Sequence, residues 1–251
     1  MSDTAVLYEM RGEVAIITLN RPDKRNVVNT AMRDGVLAAW KRFDADPAAR
    51  VAILTAAGDK AFCAGRDLSE AASGHGHGFI PILRDEISVA KPVIGAINGA
   101  ALGGGCFMAI SCDLCVAAEH ATFALTEVRV GRAPIYAFWL NGAIPQKVAL
   151  EMAMTGTPID ARRAYELGLV NHVVPAGMLM EKALALAGAL CDAAPLSVAA
   201  TKAMIYETAG LRTEAALEAA LARFKPVFDS EDAMEGMRAF REKRAPQWKG
   251  R

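Results

Sequence analysis

No sign of charge predominates: Lys plus Arg and Asp plus Glu number 28 each in a chain of 251 residues. No net field draws the chain to a nucleic acid or a membrane surface, so an anionic ligand has to be held by a local cluster. Long apolar runs are missing as well, and none reaches the roughly 18 residues that span a bilayer. The opening MSDTAVLYEM has no basic stretch followed by an apolar one, so a secretory signal is not expected. Cysteine is sparse, and Cys63, Cys106, Cys112, Cys115 and Cys191 are odd in number and set among apolar neighbours. The Cys112-x-x-Cys115 spacing lacks the second pair of a structural zinc site, so these thiols read as core residues of a reduced, cytoplasmic protein. His75 and His77 have no cysteine or carboxylate pair near them. They read as part of a flexible loop over 73–78 rather than as metal ligands, and the isolated His120 and His172 as surface or structural residues.

Hydrophobic residues, by contrast, make up 53% of the chain, enough for a sizeable core. They are organised around the stretch 91–113, KPVIGAINGAALGGGCFMAISCD. Residues 92–97 read as a buried strand, Asn98-Gly99 turns the chain, and Gly103-Gly104-Gly105 opens a compact apolar helix over 105–111. Glycines let a ligand approach the backbone closely, and the first turn of a helix has unpaired N–H groups. Such a place suits an anion, or an oxygen about to gain charge. The plainer reading is that the glycines permit tight packing of strand against helix.

Strands are predicted over 6–10 and 14–19 with a turn at Arg11-Gly12, and another over 51–55. Residues 20–26 form a basic loop. A helix follows from Asn29, with Met32, Val36, Leu37, Trp40 and Phe43 at helical spacing, and stops before Pro47. Short strands are expected over 114–117 and 122–125. The recurring ββα order suggests a spiral of strands with helices packed outside. From Asn141 the composition is helical to the end, broken at Gly156-Thr157-Pro158, Gly168 and Ala194-Pro195.

Upstream, residues 62–68 read FCAGRDL. Paired with INGAALGGGC, this resembles the crotonase, or enoyl-CoA hydratase/isomerase, superfamily along nearly the whole chain. The resemblance implies an α/β fold, a crotonase-like spiral of repeated ββα units with a C-terminal helical oligomerisation region. Residues 1–190 would form the acyl-CoA-binding, catalytic core and residues 191–251 the helices that pack subunits into a homotrimer or hexamer. By position it implies two oxyanion donors, the backbone N–H groups of Arg66 and Gly104, aimed at the thioester carbonyl of an acyl-CoA. The side chain of Arg66 has no part in this, the position being commonly small in the family; it would be a surface charge or a partner of a CoA phosphate.

Hydratases of the family carry two glutamates, one of them three residues after the middle glycine. Here that position is Phe107, and the second survives as Glu127 in FALTEVRVG. Adding water syn calls for one group to deprotonate it and another to serve C2. A single carboxylate beside an apolar ring suits the shuttling of a proton from C2 to C4. The expectation is therefore an enzyme that isomerises a Δ3- to a Δ2-enoyl-CoA, with enoyl-CoA hydration or a non-catalytic acyl-CoA-binding homologue as alternatives. Burial against Phe107 should raise the pKa of Glu127; the alternative for this residue is a salt bridge to Arg129 or Arg132. The resemblance places Lys24 and Arg25 at the nucleotide end of CoA and Ala64, Asp67 and Leu68 around the adenine. Phe107 and Tyr136 line the acyl pocket, and Phe240 and Lys243 reach a neighbouring subunit's CoA site. No cofactor or metal is implied, since coenzyme A enters as part of the substrate.

Overall fold

The computed structural model describes residues 4–70 and 78–251. The expected flexible loop with His75 and His77 therefore lies, except for Gly78, outside the described residues. β1 (Val6–Arg11) and β2 (Val14–Leu19) form an antiparallel hairpin around Gly12, whose φ of 59° suits a residue without a Cβ. β3 (Val51–Ala56), β5 (Val93–Ile97), β7 (Leu114–Ala118) and β10 (His172–Val174) continue the sheet in parallel, in the order β1-β2-β3-β5-β7-β10. Between β2 and β3 lies α1 (Thr30–Ala45), whose Asn29 cap accepts from the Met32 N–H. Met32, Val36, Trp40 and Phe43 form its buried face. Each such side chain contributes roughly 1.5–3 kcal/mol of burial.

A second, smaller sheet runs β4 (Ala61–Cys63), β6 (Ala100–Leu102), β8 (Thr122–Ala124) and β9 (Ile159–Asp160). In chain order β3 leads to β4, β5 to β6 and β7 to β8. Each of these three strands of the large sheet thus hands the chain to a short strand of the small one, and this winds the backbone as the expected spiral. Alternate residues of the large sheet face different cores. Ala52, Leu54, Val93 and Ile97 join the main one, while Val51, Ile53, Ile94 and Val116 meet Leu179, Ala183 and Ala187 of α5 (Leu179–Asp192). Coverage on both faces explains why these strands are continuously apolar rather than alternating.

Two expectations are corrected. The sequence reading assigns no strand to β4 or β6, because three residues are too few to show a period. Nor is the chain helical throughout after Asn141: β9 follows α3 (Gln146–Thr155) and β10 follows α4 (Ala161–Glu166). Both strands are short extended segments recruited by the free edges of β8 and β7, a tertiary demand that local composition does not carry.

Beyond α5 the helices α6 (Pro195–Glu207), α7 (Thr213–Phe228) and α8 (Glu231–Glu242) bury little. Leu217, Leu221, Phe228, Met234, Met237 and Phe240 are exposed there. Among the described residues no single helix is long and apolar enough to cross a membrane.

Candidate active site

The second sheet assembles the site. Pairing of β4 with β6 lays residues 64–66 beside 102–104, and pairing of β6 with β8 lays Gly103 beside Glu127. A Cβ on Gly105 would stand 2.1 Å from the Cys63 carbonyl oxygen, so the crossing of β4 under α2 (Gly104–Ile110) is possible only for glycine. The plain packing reading therefore holds for Gly105. Gly65, at φ 89°, points its Cβ direction at the Leu102 carbonyl oxygen and, 3.4 Å away, the Gly104 nitrogen. Val28 donates to the Gly65 carbonyl and accepts from the Asp67 N–H, both at 2.8 Å. In such a bridge the neighbouring groups face Val28 and those of Arg66 face away from it. Arg66 and Gly104 are thus brought close together, and Ile80 covers Gly104.

Glu127 follows β8 on a 3₁₀ turn, Thr126–Val130, closed by Gly131 at φ 65°. The Gly103 N–H donates to the Ala124 carbonyl at 2.8 Å, and the Cβ direction of Gly103 ends 3.1 Å from Glu127 Oε1. The carboxyl therefore lies against the glycine run. Among the described residues its Oε2 is buried without a hydrogen-bond partner. Burial raises the Glu127 pKa above the ordinary glutamate value, opposed in part by its own backbone N–H. The alternative ion pair is not made: Arg129 donates to the Thr155 carbonyl and to Thr157 Oγ1, and Arg132 meets Glu127 through its N–H, which donates to the Glu127 carbonyl. Phe107, 2% exposed, sits one helical turn beyond Gly104 and packs edge-on against Tyr136, with ring centroids 5.4 Å apart.

The other expected residues divide into two groups. Lys24 and Arg25 are exposed and lie next to Ala64, whose N–H donates to the Arg25 carbonyl at 3.0 Å. Asp67 pairs with Arg21 at 3.3 Å and accepts from the Ser69 hydroxyl at 2.6 Å, and these bonds, Ser69 first, lower its pKa. Leu68 is exposed beside it. Phe240 and Lys243, by contrast, sit at the end of α8, Phe240 being 86% exposed and Lys243 capping the helix at φ 53°. No hydrogen bond, ion pair or ring contact among the described residues joins them to the Glu127 pocket. The Arg66 guanidinium lies 4.3 Å from the Phe79 ring centroid, a stacked position rather than a plain surface one.

These elements match a known family: the model described as enoyl-CoA hydratase/isomerase covers residues 9–251. The chain belongs to that family, the crotonases. Carnitinyl-CoA dehydratase of Proteus mirabilis (strain HI4320) is 40% identical over 96% of this chain and 97% of its own. (E)-benzylidenesuccinyl-CoA hydratase of Thauera aromatica is 38% identical over 98% of this chain and 99% of its own. Among solved structures, enoyl-CoA hydratase from Mycobacterium tuberculosis H37Rv superposes with a TM-score of 0.91 at 39% identity, covering 99% of this chain and all of that one (100%). The protein is thus an acyl-CoA-processing enzyme of the crotonase fold.

Sequence reasoning passed over several contacts around this crotonase site. Asn26 is fully buried at φ 53°; its amide donates to the Ala57 and Ala61 carbonyls at 3.0 Å, and its Oδ1 accepts from the Arg21 N–H at 2.8 Å. It fastens the basic loop to β4. Asparagine tolerates the left-handed region, which is the one local signal that could have found it. Tyr136 donates to Asp85 Oδ2 at 2.5 Å, a pairing with no signal in local sequence. Cys63 and Cys106 are pushed up to about 12 by burial, so both thiols stay protonated beside the site.

Proposed function

We propose that the enzyme adds water to, or removes it from, the C2–C3 bond of an acyl-CoA thioester, with Glu127 as proton carrier. The observation that carries this is the Glu127 carboxyl, buried against the glycine run with no cation paired to it among the described residues. A thioester carbonyl between the N–H groups of Arg66 and Gly104 has its oxygen stabilised as charge develops, and donors fixed in advance favour that enolate over the ground state. A carboxyl whose burial favours the neutral form is suited both to take a proton and to return it. The names of the relatives, a dehydratase and two hydratases, support water chemistry over the isomerisation expected from the single glutamate. Isomerisation remains a second reading for one reason: an apolar ring, Phe107, stands where a second carboxylate would hold the water.

CoA binding follows the same reading. Lys24 and Arg25 meet the phosphates as exposed point charges, while Ala64, Asp67 and Leu68 lie along the adenine. Phe240 and Lys243 serve the CoA site of a neighbour in a trimer, or a hexamer of two trimers, and the apolar residues exposed on α7 and α8 support burial between subunits. The enzyme needs no cofactor and works in the cytoplasm. The test is turnover of crotonyl-CoA in ¹⁸O-labelled water, beside turnover of a 3-enoyl-CoA. Label in a 3-hydroxyacyl product, abolished in Glu127→Gln, is expected. Shift of the double bond with no label would replace hydration by isomerisation, and no reaction of either thioester would leave a binding protein.

A further inference from the structure

We propose that a cleft between α6, α7 and residues 84–90 binds a small amphipathic carboxylate, a free acid on a short apolar chain, whose charged end meets Arg84. The proposal does not depend on the reaction assigned to the Glu127 pocket. The cleft has a volume of about 600 Å³, within the ~300–1,000 Å³ usual for a small ligand. Its walls are mostly apolar, with Val89, Leu196, Ala200, Ala203 and Val227 among the lining residues. A second hollow of about 260 Å³, at the C-terminal end of α2, shares Arg84 and Tyr206 with it. Among the described residues that line the two, none is Arg66, Gly104, Phe107 or Glu127. The cleft is thus a different place from the thioester pocket.

The charged groups around it are matched except for one. Lys202 pairs with Asp113 Oδ2 at 2.7 Å, and Arg223 donates to Glu207 Oε2 at 3.1 Å. Asp113 is fully engaged: Oδ2 also accepts from the Val93 N–H at 2.8 Å, and Oδ1 accepts from the Tyr206 hydroxyl at 3.0 Å. Among the described residues no carboxylate pairs with Arg84, and its Nη1 is buried without a hydrogen-bond partner. Rings hold the guanidinium instead, its carbon lying 3.9 Å from the Tyr206 centroid and 5.1 Å from that of Trp139, and the Tyr206 hydroxyl also bonds it. A buried donor on a charged group is costly to leave without an acceptor. A guanidinium presents its donors as a planar fork that fits a carboxylate. Apolar walls around one unmatched cation select an anion with an apolar body; a phosphate would meet no second cation free to bind it. On α7, moreover, the exposed Leu217, Leu221 and Phe228 form one stripe, and the cleft residues Arg223 and Pro226 lie across the helix from it at about 3.6 residues per turn. Burial of that stripe between subunits would leave the cleft facing its own protomer.

The test is calorimetric titration of the purified protein with octanoate, and with octan-1-ol as the same stem without the charge. Octanoate should bind once per protomer with a Kd below about 1 mM, and saturating butyryl-CoA should change that Kd by less than about twofold. Octan-1-ol should bind at least about 10-fold more weakly. Arg84→Gln should weaken octanoate by about 10- to 100-fold and leave octan-1-ol as it was. Ala203→Phe, which fills the cleft and keeps Arg84, should weaken both, and it carries the test if Arg84→Gln does not fold. Circular dichroism and thermal melts establish folding first. Octanoate held no tighter than octan-1-ol, or equally well by folded Arg84→Gln, overturns carboxylate recognition by Arg84. Equal binding by folded Ala203→Phe overturns the cleft as its place. Displacement of octanoate by butyryl-CoA puts it in the acyl pocket and overturns the separate site, whatever reaction that pocket performs.

Discussion

Glu127 in the pocket and Glu235 on α8 are both withdrawn from water, yet their carboxyls are driven in opposite directions. Glu235, its side chain 10% exposed, takes two hydrogen bonds from Arg244, at 2.6 and 3.1 Å, and one from the Gln247 N–H at 2.8 Å. Those partners, Arg244 foremost, bring its pKa down to about 2. With Asp232, which accepts from the Lys249 and Gly250 N–H groups, it ties the C-terminal tail to α8. Among the described residues Glu127 has no such cation, and burial drives it upward. A carboxylate that fastens chain to chain is satisfied, whereas one that must exchange a proton with a substrate is left wanting a partner. The two ends of the molecule use one residue type for opposite ends because at Glu235 the bonded partners outweigh burial and at Glu127 burial prevails.

Glu127→Gln breaks the contrast most sharply. Turnover should fall about 10²–10⁴-fold, the usual worth of a positioned general base, with little change in KM because the amide keeps the shape. The same change should raise the thermal midpoint at neutral pH. A raised folded-state pKa means that ionising the group costs the native state stability, a cost incurred as pH rises through that raised value and removed in the amide. Thermal melts beside steady-state kinetics check both halves.

Gly104→Pro comes next. It removes a backbone donor at the first position of α2, where proline is otherwise tolerated, and turnover should fall about 10²–10³-fold. Gly104→Ala keeps the N–H and only crowds Ile80, 2.6 Å from the new Cβ, so it should retain far more activity. Equal losses in the two variants would remove the Gly104 N–H from the mechanism.

At the other end, Glu235→Gln should leave the turnover per folded enzyme unchanged and lower stability at neutral pH. The stabilisation by Glu235 is present above the unfolded-state pKa of about 4.3 and is lost as pH falls from roughly 5 toward the folded value of about 2. Melts across that range should therefore converge for wild type and variant at the acid end. Lys243→Ala is expected to have the smallest effect, a KM for the CoA ester raised several-fold with kcat nearly unchanged. That difference should shrink with added salt, given a Debye length of about 10 Å at 0.1 M.

The spiral and its glycines were legible because they rest on local pattern. β2, β3 and β5 are apolar runs of strand length, and Gly103-Gly104-Gly105 follows β5 at a turn. The elements that escaped notice are defined by distant partners. β9 and β10 are extended because β8 and β7 offer edges, and Asn26 is left-handed because Ala57 and Ala61 need its amide. The isomerase expectation shows the same limit. Phe107 announces a missing carboxylate, but what surrounds its ring, Tyr136 above all, comes from a distant part of the chain that local pattern does not reach.

The claim on which the rest depends is that Glu127 moves the proton at C2, whichever way the water goes. Exchange of the C2 proton of butyryl-CoA in D₂O, followed by NMR with wild type and Glu127→Gln at equal folded concentration, tests it directly. Exchange by wild type and a loss of about 10²-fold or more in the variant is the predicted result. Exchange at the wild-type rate in Glu127→Gln would contradict it.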